Sequence, residues 1–191
     1  MHSVVMMIRH AEKPLAETPP HGVTVDGVND PRSLTPRGWQ RAGALVPYFV
    51  GLGGGAGSSG LPVPGHLIAS RIGLNSSSAR PLETVQPLAL RLGVAVDTRF
   101  LKGDTGPLAQ ALTKIEGVAL VSWEHHVIPS IAEALVGGPG IVPTTWPDDR
   151  FDIVWVFERR DADSDFAFRQ VPQLLLHGDS ADPIVDPAPT R

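Results

Sequence analysis

Three short stretches of this chain carry residues that could do chemistry together. Arg9-His10 follows an apolar run, Arg80 follows the serine-rich stretch Ser76-Ser77-Ser78-Ala79, and Glu124-His125-His126 follows a second apolar run and Trp123. Arginine supplies a fixed cation whose planar fork fits phosphate. An imidazole beside it offers a nucleophile or a base. Two arginines and two histidines around one site would hold a tetrahedral dianion and attack it.

Bringing these stretches together requires particular elements. Val4-Val5-Met6-Met7-Ile8 is an unbroken apolar run that fits a strand buried on both faces, as in a parallel sheet. It stops abruptly at Arg9-His10-Ala11-Glu12-Lys13-Pro14. Val118-Ala119-Leu120-Val121-Ser122 repeats the pattern and breaks into Trp123-Glu124-His125-His126. Ser76 to Thr84 leads into a helix running to about Leu92, with Leu82, Val85, Leu88, Ala89 and Leu92 inward. Serines there can cap the helix, while its free N–H groups and the Arg80 fork can receive an anion. Further strands are expected at His66–Ser70, Gly93–Asp97, Phe151–Phe157 and Ala167–Val171, the last two as a hairpin that Leu174–Leu176 could extend. Helices are expected at Pro36–Phe49, from about Pro107 to Ile115, and at Ile128–Val136. In the first, Thr35 is placed to N-cap and Pro36 to occupy the first turn. Trp39, Ala42, Leu45, Val46 and Phe49 then share one face, and Pro47 bends or frays the end.

Strands alternating with helices predict a three-layer α/β fold. Its central sheet is mostly parallel, with about six strands and helices on both faces. In such folds ligands bind beyond the carboxyl ends of the strands, so Arg9-His10, Arg80 and Glu124-His125 would share one edge.

Composition narrows the classes. At 191 residues the chain suits a single domain, 1–191. A formal net charge of −4 gives no reason to expect nucleic-acid or polybasic membrane contact. The absence of Cys excludes disulfides, thiolate metal sites and a thiol nucleophile. No apolar run approaches the length of a membrane span. The first residues lack the basic start of a signal peptide, so a cytoplasmic location is expected. The proline-rich stretch 14–32 reads as a loop forming the rim of a pocket. Residues 51–65, rich in glycine, lack the Lys-Ser/Thr of a phosphate loop and follow a helix, so they read as a flexible connection. The tail 178–191 reads as irregular.

Taken together these motifs resemble the histidine phosphatase superfamily, with its phosphoglycerate mutase-like fold. Ile8-Arg9-His10-Ala11 resembles the signature strand end Arg-His-Gly, with Ala where Gly is usual. The longer run Arg-His-Ala-Glu-Lys-Pro resembles small bacterial phosphatases of this kind. Leu34-Thr35-Pro36-Arg37-Gly38-Trp39-Gln40-Arg41-Ala42 resembles the helix that follows, and Ser78-Ala79-Arg80 with Thr84 resembles the second-arginine motif. Trp123-Glu124-His125 stands where the family has Ser-His-Gly. Variants with Trp-x-His at this point favour His125 over His126 as the second histidine.

The resemblance implies a metal-independent phosphatase acting on a phosphorylated small molecule or a phosphoprotein, with no cofactor. His10 would be the nucleophile, forming a phosphohistidine that water hydrolyses. Arg9, Arg80 and His125 would bind the phosphoryl oxygens. For the general acid, Asp104 and Glu124 are equal candidates and Glu12 is a third, while Glu83 reads as a helix-surface charge. Two other readings stand beside this one. The first is a metallohydrolase using His10, His125 and His126, although adjacent histidines with scattered carboxylates match common ligand spacings poorly. The second is a phosphate-binding member of the fold without activity.

Overall fold

Ser3–Arg9 forms the strand β1, and each of its residues is buried, which is why the run carries no polar alternation. In the computed structural model, which describes residues 2–15, 18–73 and 76–186, the rest of the chain is layered about this strand. In order follow α1 (Pro36–Phe49), β2 (His66–Ala69), α2 (Arg80–Leu92), β3 (Val96–Asp97), α3 (Thr105–Leu112), β4 (Gly117–Trp123), α4 (Ile128–Val136), β5 (Ile153–Arg159) and β6 (Ala167–Pro172). They make a six-stranded sheet in the order β3-β2-β4-β1-β5-β6. β1, β2, β3 and β4 pair in parallel, whereas β5 is antiparallel to both β1 and β6.

Alternation along β1 divides the core in two. Val5 and Met7 point to a cluster with Leu108, Ile128, Ile131 and Trp155, so α3 and α4 cover that face. Val4, Met6 and Ile8 point to a cluster with Leu45, Phe49, Val85 and Leu88, so α1 and α2 cover the other. Each such fully buried side chain contributes about 1.5–3 kcal/mol of transfer free energy. The expected three-layer α/β architecture is therefore the one observed.

The sequence reading differs from the structure at several boundaries. The strand expected over Gly93–Asp97 shortens to Val96–Asp97, because Gly93 at φ 68° caps α2 in the left-handed conformation. The helix expected from about Pro107 begins at Thr105 and ends at Leu112, and the backbone beyond it closes in turns, with Lys114 N–H donating to the Ala111 carbonyl. Leu174–Leu176 joins no strand. On α1 the buried face holds Arg41 and Tyr48, whereas Trp39 and Val46 are only half-buried. Trp39 instead donates its indole N–H to the Val23 carbonyl at 2.8 Å, bracing the loop 14–32.

The glycine-rich stretch 51–65 has a definite task. A helix leaves its last four carbonyls without intrahelical partners. Here Val46 receives the N–H of Val50, and Pro47, Tyr48 and Phe49 receive those of Ser58, Ser59 and Gly57. A Cβ on Gly57 would lie 2.3 Å from the Pro47 oxygen, so only glycine allows the chain to fold back this closely. The described part of the tail, 178–186, has no helix or strand but is anchored by Asp179, by the buried Ile184 and by Asp186, which accepts from Thr144 N–H.

One packing contact bears directly on the strand end. Gly38 of α1 lies against the backbone of Glu12, and a Cβ there would sit 2.6 Å from the Glu12 oxygen. Gly38→Ala is expected to cost about 1–3 kcal/mol through this overpacking. It should also displace the segment after His10. Chemical denaturation would show the loss of stability.

Candidate active site

β1 and β4 are neighbours in parallel register, with Arg9 opposite Trp123, and the His10 N–H continues the ladder to the Trp123 carbonyl at 2.9 Å. His10 and Glu124 therefore leave the sheet side by side. Trp123 itself, which replaces the serine of the resembled motif, is fully buried in the core and donates its indole N–H to the Lys102 carbonyl.

The second arginine is delivered by α2. Thr84 is buried on that helix, and its hydroxyl accepts the Ala11 N–H at 2.8 Å while donating to the Arg80 carbonyl at 2.7 Å. This one side chain ties the residue after His10 to the residue that begins α2. The serines ahead of the helix do not cap it: the N-cap is Ala79, without a side-chain bond, and Ser78 Oγ is buried without a partner. Arg80 spends Nη1 on the Pro31 carbonyl at 3.0 Å, and its buried Nε has no acceptor among the described residues.

Arg9 is 1% exposed. Its Nη1 donates to the carbonyls of Pro147, Asp148 and Arg150, and the guanidinium stacks 3.8 Å from the centre of the Phe151 ring. Among the described residues, Nε and Nη2 have no acceptor. Burial lowers its pKa to about 10, against the pull of Asp148 and Glu124, so it remains a cation at neutral pH.

His10 is equally enclosed. Its Nδ1 lies 2.8 Å from the Ala11 carbonyl, which can only accept, so the ring proton sits there and Nε2 carries the lone pair. Burial pushes its pKa well below the ordinary 6.5, and the charges of Arg80, Arg9 and His125 push in the same direction. The imidazole is thus neutral, as a nucleophile must be.

His125 is 1% exposed, whereas the side chain of His126 is 66% exposed and its ring lies 3.8 Å from that of His125. His125 Nε2 is 2.6 Å from an oxygen of Asp148, and its buried Nδ1 has no hydrogen-bond partner. Burial and the Arg9 charge hold its pKa at about 4, while His125 in turn holds the exposed Asp148 carboxylate below its usual range. The resulting state is an ionised Asp148 accepting Nε2–H from a neutral imidazole.

The carboxylates named from sequence separate clearly. Glu124 faces the site: its Oε1 lies 3.7 Å from His125 Nδ1, and its Oε2 lies 3.6 Å from Lys102 Nζ. Asp104 accepts the Leu101 N–H at 2.8 Å and lines a different cavity, with Arg71 and Lys102. Glu12 is held by Arg41 at 2.9 Å and Arg37 at 3.3 Å. Glu83 is not a surface charge but is buried, accepting from Ser33 Oγ and Leu34 N–H. A cavity of about 460 Å³ opens beside Asp148 and Phe151, lined by Glu12, Lys13, Arg37, Arg41 and Asp179 among others, and neither His10 nor His125 lines it.

Sequence reasoning missed Asp148, Phe151 and the buried Arg41, which also pairs with Asp179 at 2.7 Å. Nothing in the local pattern Trp146-Pro147-Asp148-Asp149 distinguishes it from an ordinary turn. Arg41 could have been found as a charge at an inward-facing position of α1, three residues after Gly38.

The neutral state of His10 has a thermodynamic signature. The unfolded chain takes up a proton on this ring below about 6.5, and the folded chain does not until much lower pH. Stability is therefore complete above that value and falls as the pH drops through the window beneath it. Thermal unfolding followed from neutral pH downward should show a falling midpoint, with a shallower fall in His10→Asn.

No protein-family model matches the chain, and no curated protein matches it. Among solved structures, the native mycobacterial glucosyl-3-phosphoglycerate phosphatase is similar over 90% of this chain and 98% of its own, at 14% identity and a TM-score of 0.53. The same phosphatase complexed with VO3 is similar over 88% of this chain and 97% of its own, at 13% identity and a TM-score of 0.53. Likeness at this identity concerns architecture: the chain has a phosphoglycerate mutase-like α/β fold.

Proposed function

We infer that this protein is a phosphatase of the histidine type, hydrolysing a phosphomonoester or a phosphoprotein through a phosphohistidine on His10. One observation carries the reading. Buried donors without acceptors, namely Arg9 Nε and Nη2 and Arg80 Nε, accompany a neutral His10 whose free nitrogen is the nucleophilic one. Buried polar atoms are rarely left unmatched, and unmatched cationic donors near a neutral imidazole suit the binding of an anion. That the neighbouring fold includes a named phosphatase supports the same reading.

In the proposed reaction His10 Nε2 attacks phosphorus as the bond to the leaving oxygen breaks, and the bonding pair departs with that oxygen. Arg9 and Arg80 hold the equatorial oxygens where charge gathers. Glu124, near His125 and Lys102, would in its protonated form give its proton to the leaving oxygen, while Asp104 closes its own turn and Glu12 is held by Arg41. Glu124 would then take a proton from the water that attacks phosphorus and releases His10. With Nε2–H donated to Asp148, His125 holds a lone pair at Nδ1, and on protonation there it would donate a hydrogen bond to a phosphoryl oxygen, a state that a bound dianion favours.

A panel of aryl phosphates, sugar phosphates, phosphoglycerates and phosphopeptides, assayed with and without chelator, tests this. Turnover of at least one class, unaffected by chelator and inhibited competitively by vanadate, is expected. Inactivity across the panel, or activity abolished by chelator, would overturn it. Arg80→Ala should weaken vanadate binding and turnover together.

A further inference from the structure

Glu124, His125 and His126 each place one ligand atom so that all three lie within 4.8 Å of one another. Glu124 Oε1 lies near both imidazoles, 3.7 Å from His125 Nδ1 and 4.0 Å from His126 Nε2. Tetrahedral zinc bound by imidazole and carboxylate sets its ligand atoms about 3.4 Å apart. The exposed His126 side chain has the freedom to close the remaining distance.

A second observation points to a cation here. The Asp148 carboxylate accepts only, so it takes the His125 Nε2 proton and leaves a buried Nδ1 lone pair with no donor to meet it. Glu124 Oε1 lies 3.7 Å from that nitrogen, with Lys102 Nζ 3.6 Å from its other oxygen, and two acceptors this close are matched by a proton or a metal cation between them. A histidine whose outer nitrogen is held by a carboxylate is also the usual arrangement around a zinc ligand, since it fixes the tautomer and raises the basicity of the ligating atom.

We propose that Glu124, His125 and His126 form a binding site for a divalent transition metal of the zinc type, and that occupancy of this site inhibits the enzyme. Three protein ligands leave the fourth position open to water or an anion. The inhibitory part rests on the phosphatase reading, because the metal takes the His125 nitrogen and the Glu124 oxygen which that reaction uses. Binding itself does not depend on it. The arrangement differs from a metallohydrolase built on His10, since His10 is outside the group.

Calorimetric titration of chelator-treated protein with Zn2+, together with Co2+ absorption spectra, tests the site directly. One ion per chain and a tetrahedral Co2+ spectrum are expected in the wild type and in His10→Asn. His126→Ala and Glu124→Gln should each weaken Zn2+ binding by at least about tenfold. Vanadate should compete with Zn2+, and Zn2+ should inhibit aryl phosphate hydrolysis. Unchanged Zn2+ affinity in both His126→Ala and Glu124→Gln would overturn the site, because the ion would then sit elsewhere. Zn2+ binding at the site without inhibition of an active enzyme would overturn the regulatory part. A wild type that binds Zn2+ at the site but turns over no phosphate ester would leave the metal site standing and remove the phosphatase reading instead.

Discussion

His10→Ala is expected to lower turnover of an aryl phosphate by roughly 10⁴-fold or more, the scale on which loss of a covalent nucleophile is felt. The fold should survive. His10 contributes one side-chain hydrogen bond, to the carbonyl of the next residue, and its backbone N–H, which the variant keeps, holds the ladder to Trp123. The wild type quenched during turnover should carry one added phosphoryl group on the peptide containing His10, labile to acid and stable to base, as a phosphoramidate bond is. The variant should carry none. Full activity in a folded His10→Ala protein would eliminate the covalent route and turn attention to a directly activated water. A folded variant that still binds vanadate but turns nothing over would separate catalysis from phosphate binding.

Arg9→Lys should have the next largest effect. Arg9 has two sides: Nη1 holds the carbonyls of Pro147, Asp148 and Arg150, while Nε and Nη2, without acceptors among the described residues, would hold the substrate in the proposed reaction. A lysine ammonium has three donors and can replace the contacts to the carbonyls, but it lacks a planar fork for two phosphoryl oxygens. Turnover should fall by about 10²–10³-fold, the usual cost of losing a preorganised donor to developing charge. Denaturation midpoints should move little. Arg9→Met, by contrast, leaves three carbonyls without a donor, so its stability should fall as well. If Arg9→Lys kept full activity, the guanidinium would be a brace for residues 147–150 alone.

Much of the framework could be read from the chain directly, because buried parallel strands are apolar throughout and end sharply. α1 begins where the Thr35 cap and Pro36 place it, and α4 ends at the left-handed Gly137. Arg9, His10, Arg80, Glu124 and His125 were all visible as polar residues at strand ends or helix starts. The partners of these residues were not visible. Arg41 sits among residues that read as an apolar face, and the pairing that keeps it there comes from Glu12 and Asp179, distant in sequence. Asp104 and Glu124 looked alike in sequence, since both follow apolar segments. They differ in space because the Asp104 carboxylate closes its own turn, whereas Glu124 follows directly on the strand paired with β1.

The sequence alone determined which segments are buried and where each one stops, because hydrophobic run length and turn chemistry are local properties. Tertiary structure decided what meets at the stopping points. The parallel register that sets Arg9 opposite Trp123 carries His10 beside Glu124 and His125. β5 runs against β1, with Met7 opposite Trp155, so the segment entering β5 arrives at the same edge and brings Asp148 to His125 and Phe151 to Arg9. Strand order and direction depend on pairing across the whole chain, so no local pattern announces them.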